Sequence, residues 1–503
     1  MRSIPGTMAT QHPDNASAPY WDERGRPFIS VYQEISEAIH CYQDLNAAEY
    51  MWDWEGKHAD AAVIDRLFSD YYDYFSKQRL GRDKFLTFRL PNIWEEKGYN
   101  LLQAMTVILS SEDFARDLKF PDRPLFEVIL PMTERADQLM HMQRLFEKLA
   151  KFKSSEFTTG ATNTEYLELI PLVESVESQL AVADLLTDYV KFHTQHFGHP
   201  PEYIRAFLAC SDSSLSSGLL AGLIGNKVAL ARLHEFSEQT GIPIFPIMGC
   251  GSLLFRGGLS PDPAAIDRFL KEFPGVRTVT VQSSFRYDHP KAVVKAGIAR
   301  LERELQKTKP GHITATNQQR LVAIAQASSK RYQQTLRGVL PNMQQIFQTV
   351  PKRRDRRQHI GLLAYSRSMG EQTLPRAITF TAGFYSVGVP PEFIGLGRTL
   401  QSLKPSELAL LHKEYPGLTA DFEAAGRFLN RSNLVKFARG SSAWRDIQSD
   451  VELTEKVLGV SFGPQTKTEL DHQKLSTKLI ATQDPARGAK LINEMALLRK
   501  SLG

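Results

Sequence analysis

Short apolar runs recur through the middle of the chain about every 35 to 40 residues, each followed by turn residues and then by a segment with apolar positions three and four apart. F-E-V-I-L-P-M opens at Phe126, Y-L-E-L-I-P-L-V at Tyr166, I-R-A-F-L-A-C at Ile204, I-P-I-F-P-I-M at Ile242 and R-T-V-T-V-Q at Arg277. Helical patterns span Glu134 to Phe152, Glu177 to Phe197, Leu219 to Glu238 and Asp262 to Phe273. Strands this continuously apolar are buried on both faces, as parallel strands under helices are, so the alternation predicts a repeated βα unit. F-L-T-F-R-L, ending near Arg89, reads as an earlier strand, and Gly361 to Tyr365 and Ala377 to Ala382 read as later ones.

Polar and charged side chains gather at the carboxyl ends of these runs. Thr133, Glu134 and Arg135 end the first, Glu174 and Ser175 the second, Ser211, Asp212 and Ser213 the third, an Arg256 loop the fourth, and Gln282 with Arg286 the fifth. A closed barrel brings all such ends to one mouth, whereas an open doubly wound sheet gathers only those near its switch point. The expected fold is therefore α/β, a (βα)8 TIM-type barrel with additional helices at the N-terminus and in the C-terminal part, the eighth-strand count being inferred. The chain reads as a single large catalytic domain over residues 1–503. Within it, residues 1–80 form an N-terminal extension with helices around Val31 to Ala48 and Ala59 to Ser76. Residues 81–400 form the barrel core with inserted helices at 310–360, and residues 401–503 form a C-terminal helical elaboration.

At 503 residues and 42% hydrophobic content the chain can bury a large core. Its net charge of +5, from 61 Lys+Arg against 56 Asp+Glu, fits acidic small-molecule substrates and is too diffuse for nucleic acid. The densest basic run, K-R-R-D-R-R from Lys352 to Arg357, lacks interleaved aromatics and reads as a solvated loop or subunit-contact face. Cys41, Cys210 and Cys250 are unevenly spaced, so neither a disulfide framework nor a zinc site is expected. With no leader and no bilayer-length apolar run, a cytoplasmic protein without a membrane partner is expected.

Four groups carry candidate chemistry. In I-F-P-I-M-G-C-G-S-L-L-F-R-G-G, a buried strand opens into a loop where Gly249, Gly251, Gly257 and Gly258 permit φ > 0 and Arg256 offers a planar fork of donors to an anion; a structural turn is the plainer reading. Glu174 and Asp212, at the ends of adjacent strands, supply two hard oxygen ligands that suit Mg2+ or Mn2+ with positions left open for substrate. Equally, Glu174 is placed to cap the next helix and Asp212 to N-cap one beginning at Ser213. T-Q-H-P-D-N holds His12 before a proline in an extended segment, although a lone histidine there is more often a satisfied core or surface residue. S-R-S-M-G-E-Q-T-L-P-R sets Arg367 and Arg376 around a glycine-containing loop, suited to an anion or to salt bridges.

Together these motifs resemble the phosphoenolpyruvate carboxylase family, and the length and the opening M-A-T-Q-H-P-D-N-A resemble its short, archaeal-type branch; the resemblance runs from Thr10 to about Gly397. T-Q-H-P-D-N stands where the longer enzymes carry T-A-H-P-T, which carries the catalytic histidine onto His12, within the N-terminal extension. P-L-V-E-S is similar to P-L-F-E-T and C-S-D-S to Y-S-D-S, carrying the metal ligands onto Glu174 and Asp212. F-R-G-G matches the end of H-G-R-G-G-x-x-x-R-G-G, so the mobile-loop catalytic arginine falls on Arg256, with Gly257 and Gly258 beside the substrate. The S-R-P...S-L-R-A-I segment implies substrate roles for Arg367 and Arg376, and F-R-L-P-N, more weakly, a phosphate-binding role for Arg89. Cys250 and Leu215 stand where the longer enzymes carry an arginine and a lysine, a loss for which Arg135 or Arg286 could substitute. The R-K-S-L-G ending lacks the Q-N-T-G associated with aspartate inhibition.

The resemblance implies anaplerotic CO2 fixation: phosphoenolpyruvate and bicarbonate give oxaloacetate and phosphate through carboxyphosphate and a metal-stabilised enolate, in a cytoplasmic homotetramer. Two rival readings are another metal-dependent barrel lyase or aldolase that forms a pyruvate enolate, and a noncatalytic barrel regulator.

Overall fold

A computed structural model describes residues 2–57, 59–95, 98–157, 165–355, 368–369 and 372–503. Eight parallel strands close into a barrel in chain order: β1 (Thr7–Thr10), β2 (Glu49–Asp53), β3 (Phe85–Arg89), β4 (Glu127–Leu130), β5 (Glu168–Val173), β6 (Phe207–Ala209), β7 (Ile247–Gly249) and β8 (Thr278–Val281). Closure is made by β1, which pairs with β2 through Met8↔Glu49 and with β8 through Met8↔Thr280. The predicted α/β barrel is the observed fold.

The strand count is reached differently from the sequence reading. β1 and β2 lie inside residues 1–80, and the barrel is complete at Val281, so the first segment is part of the barrel and the barrel does not extend to residue 400. T-M-A-T and E-Y-M-W-D give little apolar signal because their inward positions carry a threonine and two carboxylates. The expected strand at Ala377–Ala382 is the start of a helix, Ala377–Ser386, whose residues are nearly all buried; a helix apolar on every side shows no period that separates it from a buried strand. The other expected late strand, Gly361 to Tyr365, lies outside the described residues. Before both, where inserted helices are expected at 310–360, the described residues form one long helix, Ala315–Thr349, and helices occupy most of residues 405–499.

Inside the barrel, side chains stack in layers drawn from alternate strands. The lowest layer is polar. Arg205, two residues before β6, donates to Glu49 of β2 at 2.7 and 2.9 Å, to Glu127 of β4 at 2.6 Å and to Thr278 of β8 at 3.0 Å. Above it lies an apolar plug that includes Met8, Met51, Ile129, Ile170, Phe207 and Ile247. The carboxyl ends of the strands stand on this plug, so functional side chains there rest on a packed floor and not over a channel.

Arg205 is fully buried, and so are both of its carboxylates. Removing one member of such a cluster strands the opposite charge in a dry interior, which typically costs about 3–5 kcal/mol. Arg205→Ala is expected to lower the urea unfolding midpoint by that equivalent, while the triple variant Arg205→Met/Glu49→Gln/Glu127→Gln recovers most of it. Equal stability of the single variant and the wild type would refute the charge-stranding account.

Candidate active site

The barrel mouth opens into a cavity of about 410 Å³ lined by His12, Arg89, Glu174, Asp212, Arg256 and Arg376 among others. Each comes from a strand end or the loop that follows. His12 lies two residues past β1, Arg89 ends β3, Glu174 follows β5, Asp212 lies in the first turn of the helix Ser211–Ser217 after β6, and Arg256 ends the short 3-10 turn Leu254–Arg256 after β7. Arg376 comes from outside the barrel, at the N-cap position of Ala377–Ser386. Arg367 lies outside the described residues.

Neither carboxylate is used as a helix cap. Ser175 caps Val176–Leu180 by accepting from the Ser178 amide at 3.0 Å, and the helix after β6 begins one residue before Asp212, with Cys210 at its N-cap position. Both Glu174 and Asp212 instead form part of the cavity wall. Among the described residues no group of three or more His, Cys, Asp or Glu side chains is arranged to hold a metal. A pair of carboxylates beside an open cavity fits a hard cation such as Mg2+ or Mn2+, which takes its remaining oxygens from substrate and water.

Arg256 is buried at 1% exposure and held from four directions. It pairs with Asp14 at 2.9 Å, donates to the Gly503 carbonyl at 2.7 Å and to Ser211 Oγ at 3.2 Å, and contacts Gln282 Oε1. Asp14 is itself fixed, accepting from the Ser284 amide at 2.7 Å and its hydroxyl at 2.8 Å. Gly257 and Gly258 have φ of +109° and +68°, as the glycine-rich loop predicts. They stand behind the cavity wall: a Cβ on Gly257 would meet Cys250 Cβ at 3.1 Å and Cys210 Sγ at 3.3 Å. Their role here is to turn the backbone so that Arg256 points inward. The loop expected to swing is latched, because the Phe255 amide also donates to buried Glu392 at 3.0 Å.

Arg89 makes a two-pronged pair with Asp53 at 2.7 and 2.9 Å and reaches Glu55 at 2.8 Å. The two proposed stand-ins for the missing basic groups do not reach the cavity. Arg135 is exposed and paired with Asp137, while Arg286 is fully buried and donates to Glu37 at 2.8 Å and to the Thr10 carbonyl at 2.7 Å. The basic run is also corrected: Arg353 and Arg354 are buried, and with Lys352 they line the cavity. Arg354 donates to Glu37 at 2.6 and 2.7 Å and approaches Glu34 at 3.4 Å; Arg353 donates to the Asn15 carbonyl at 2.8 Å and to Asn493 at 2.6 Å. Glu34 and Glu37 lie one turn apart on the short helix Glu34–Gln43, which lets both face Arg354. The roles of Asp14 and Glu392 are not legible in the sequence because their partners, Arg256 and Phe255, are distant along the chain.

His12 sits next to this network. Its Nδ1 is 2.8 Å from Thr10 Oγ1, and its carbonyl accepts from the Asp14 amide at 3.1 Å, so one turn of chain carries both the cavity histidine and the anchor of Arg256.

A family model described as phosphoenolpyruvate carboxylase matches residues 4–503. The chain is similar to proteins of that name from Leuconostoc mesenteroides, 54% identical over 504 residues, and Oenococcus oeni, 50% identical over 504 residues; each match covers 100% of this chain and 99% of the relative. It is also similar to one from Pyrococcus horikoshii, 37% identical over 439 residues, covering 85% of this chain and 89% of that protein.

The latch at Glu392 predicts a pH effect. Burial pushes its carboxyl up from 4.5 to about 7, against the opposing hydrogen bond from Tyr385. The folded state thus holds a proton the unfolded chain has released, so this contribution is complete below about pH 4.5 and is lost as pH rises through 7. Glu392→Gln keeps an acceptor for Phe255 and Tyr385 without the ionisation. Between pH 5 and pH 8 its unfolding free energy is expected to gain on wild type by on the order of 2–3 kcal/mol, read from urea midpoints. A gap constant across that range would refute the latch.

Proposed function

The chain belongs to the phosphoenolpyruvate carboxylase family, and from that premise we propose how the barrel mouth performs the reaction. The protein is a carboxy-lyase that joins phosphoenolpyruvate and bicarbonate, giving oxaloacetate and inorganic phosphate. The residue roles below are supported by one observation above all, that His12, Glu174, Asp212, Arg256 and Arg376 line a single cavity.

Glu174 and Asp212 are the proposed holders of Mg2+ or Mn2+. When bound there, such an ion supplies Lewis-acid charge to substrate oxygens that grow more negative as the phosphoryl group leaves. Arg376 and Arg89, with Arg367 by resemblance, orient the phosphoryl and carboxylate groups so that a bicarbonate oxygen stands in line with phosphorus, and positioning supplies much of the rate. The new P–O bond forms as the enol P–O bond breaks, leaving carboxyphosphate and the pyruvate enolate. His12 then takes the carboxyphosphate proton. In the tautomer whose Nδ1–H donates to Thr10 Oγ1, Nε2 is the atom that accepts the proton. Loss of phosphate frees CO2, and C3 of the enolate attacks it. Arg256, already oriented by Asp14, Ser211 and Gln282, stabilises developing negative charge without reorganising at that moment. The turn at Gly257 and Gly258 keeps it there. No described helix is long and apolar enough to cross a membrane, and we propose a cytoplasmic homotetramer on the family resemblance.

A coupled assay of oxaloacetate, with bicarbonate omitted or supplied, tests the reaction directly. Glu174→Ala and Asp212→Ala are expected to lose turnover by about a hundredfold or more together with Mn2+ affinity, while circular dichroism stays unchanged. Unaltered Mn2+ binding in both variants would remove the metal assignment.

His12→Asn separates the two half-reactions. If the histidine serves carboxylation and not phosphoryl transfer, the variant still releases phosphate in a bicarbonate-dependent way but yields pyruvate, with oxaloacetate down by roughly two orders of magnitude. Wild-type oxaloacetate yield would contradict the role.

A further inference from the structure

Three of the buried arginines of the cavity are paired with carboxylates, while Arg353 is held by the Asn15 carbonyl and Asn493. Arg89 is matched by Asp53 and Glu55, Arg256 by Asp14, and Arg354 by Glu34 and Glu37. Two further carboxylates, Glu174 and Asp212, stand on the same wall. Such pairs fix geometry but leave little net field with which to draw in phosphoenolpyruvate and bicarbonate, both anions.

Lys352 differs from these in every respect. It lines the cavity yet is exposed, and among the described residues it makes no hydrogen bond, ion pair or ring contact. Its backbone is nonetheless firmly placed. Pro351 precedes it, and buried Arg353 and Arg354 follow, with the Arg353 carbonyl accepting from the Ile29 amide at 2.9 Å and a parallel bridge joining Ile29 to Arg354. The segment leaves the helix Ala315–Thr349, whose last turn also contributes Phe347 and Gln348 to the wall. A lysine on a pinned backbone, exposed and on the cavity wall, offers a compact point charge with three donors.

We propose that Lys352 is a substrate-binding residue that captures the phosphoryl group of phosphoenolpyruvate at the rim, supplying the unneutralised charge that the paired arginines do not. The phosphoryl group is the more highly charged of the two incoming anions, so it gains most from a point charge. The inference rests on the carboxylase reading of the cavity, and the test keeps the two apart.

Lys352→Gln and Lys352→Arg are compared with wild type, varying each substrate with the other saturating. Losing one solvated ion contact is worth up to about fivefold. Lys352→Gln is therefore expected to raise KM for phosphoenolpyruvate about threefold to fivefold with kcat unchanged, the signature of lost binding and not lost chemistry. Lys352→Arg restores most of it. The inhibition constant of inorganic phosphate rises in parallel, and kcat/KM of the glutamine variant depends less steeply on ionic strength. An unchanged KM for phosphoenolpyruvate, a rise confined to KM for bicarbonate, or a loss confined to kcat would each overturn the proposal. Wild-type enzyme lacking bicarbonate-dependent oxaloacetate formation would instead sink the carboxylase reading.

Discussion

The buried pair between Arg256 and Asp14 is the interaction on which the rest of the site depends. Two charges taken out of water lose hydration worth several kcal/mol each, and their attraction offsets this only when the remaining donors and acceptors are satisfied. Here they are: Ser284 fills both carboxylate oxygens, while Ser211, Gln282 and the Gly503 carbonyl complete the guanidinium. Satisfying that pair forces five separate stretches of chain to converge. Asp14 comes from the turn after β1, Ser211 from the helix carrying Asp212, Gln282 and Ser284 from the end of β8, and Gly503 from beyond the last helix. The geometry that makes the pair tolerable also sets His12 and Asp212 beside it.

A gradient of polarity along the barrel axis follows the same logic. Charges occur at the bottom, around Arg205, and at the top, around Arg256 and Arg89, and an apolar plug separates them. In each charged layer these arginines are all paired with at least one carboxylate, which leaves the interior electrically quiet. Function at the mouth then draws on groups at the rim and on Glu174 and Asp212, which line the cavity.

The sequence revealed most where local patterns are strong. β3 to β8 were legible because their runs are apolar and the helices between them amphipathic, and Glu174, Asp212 and Arg256 were legible because each closes such a run. β1 and β2 were not: their inward residues include Glu49 and Asp53, which look like loop residues until Arg205 and Arg89 are seen to pair with them. The same blindness explains Arg353 and Arg354, where a dense basic run reads as solvated unless the acids that bury it, more than three hundred residues earlier, are known. Ala377–Ser386 failed for a different reason, since burial on all sides erases the helical period. Long-range charge pairing and all-round burial are properties of the folded chain that no window of sequence carries.

The closure of β1 against β8 also constrains the order in which the molecule can be made. Met8 leaves the ribosome early but has no lower-index neighbour in the sheet, and its second partner, Thr280, is synthesised long after it. Until then the nascent barrel is an open, curved sheet with two unpaired edges, the kind of surface that recruits chaperones or mispairs. Closure alone does not finish the site, because the Asp14 carbonyl still awaits the Leu502 amide and Arg256 awaits Gly503. The anchor of Arg256 is therefore complete only once the segment around Leu502 and Gly503 has docked against the turn after β1.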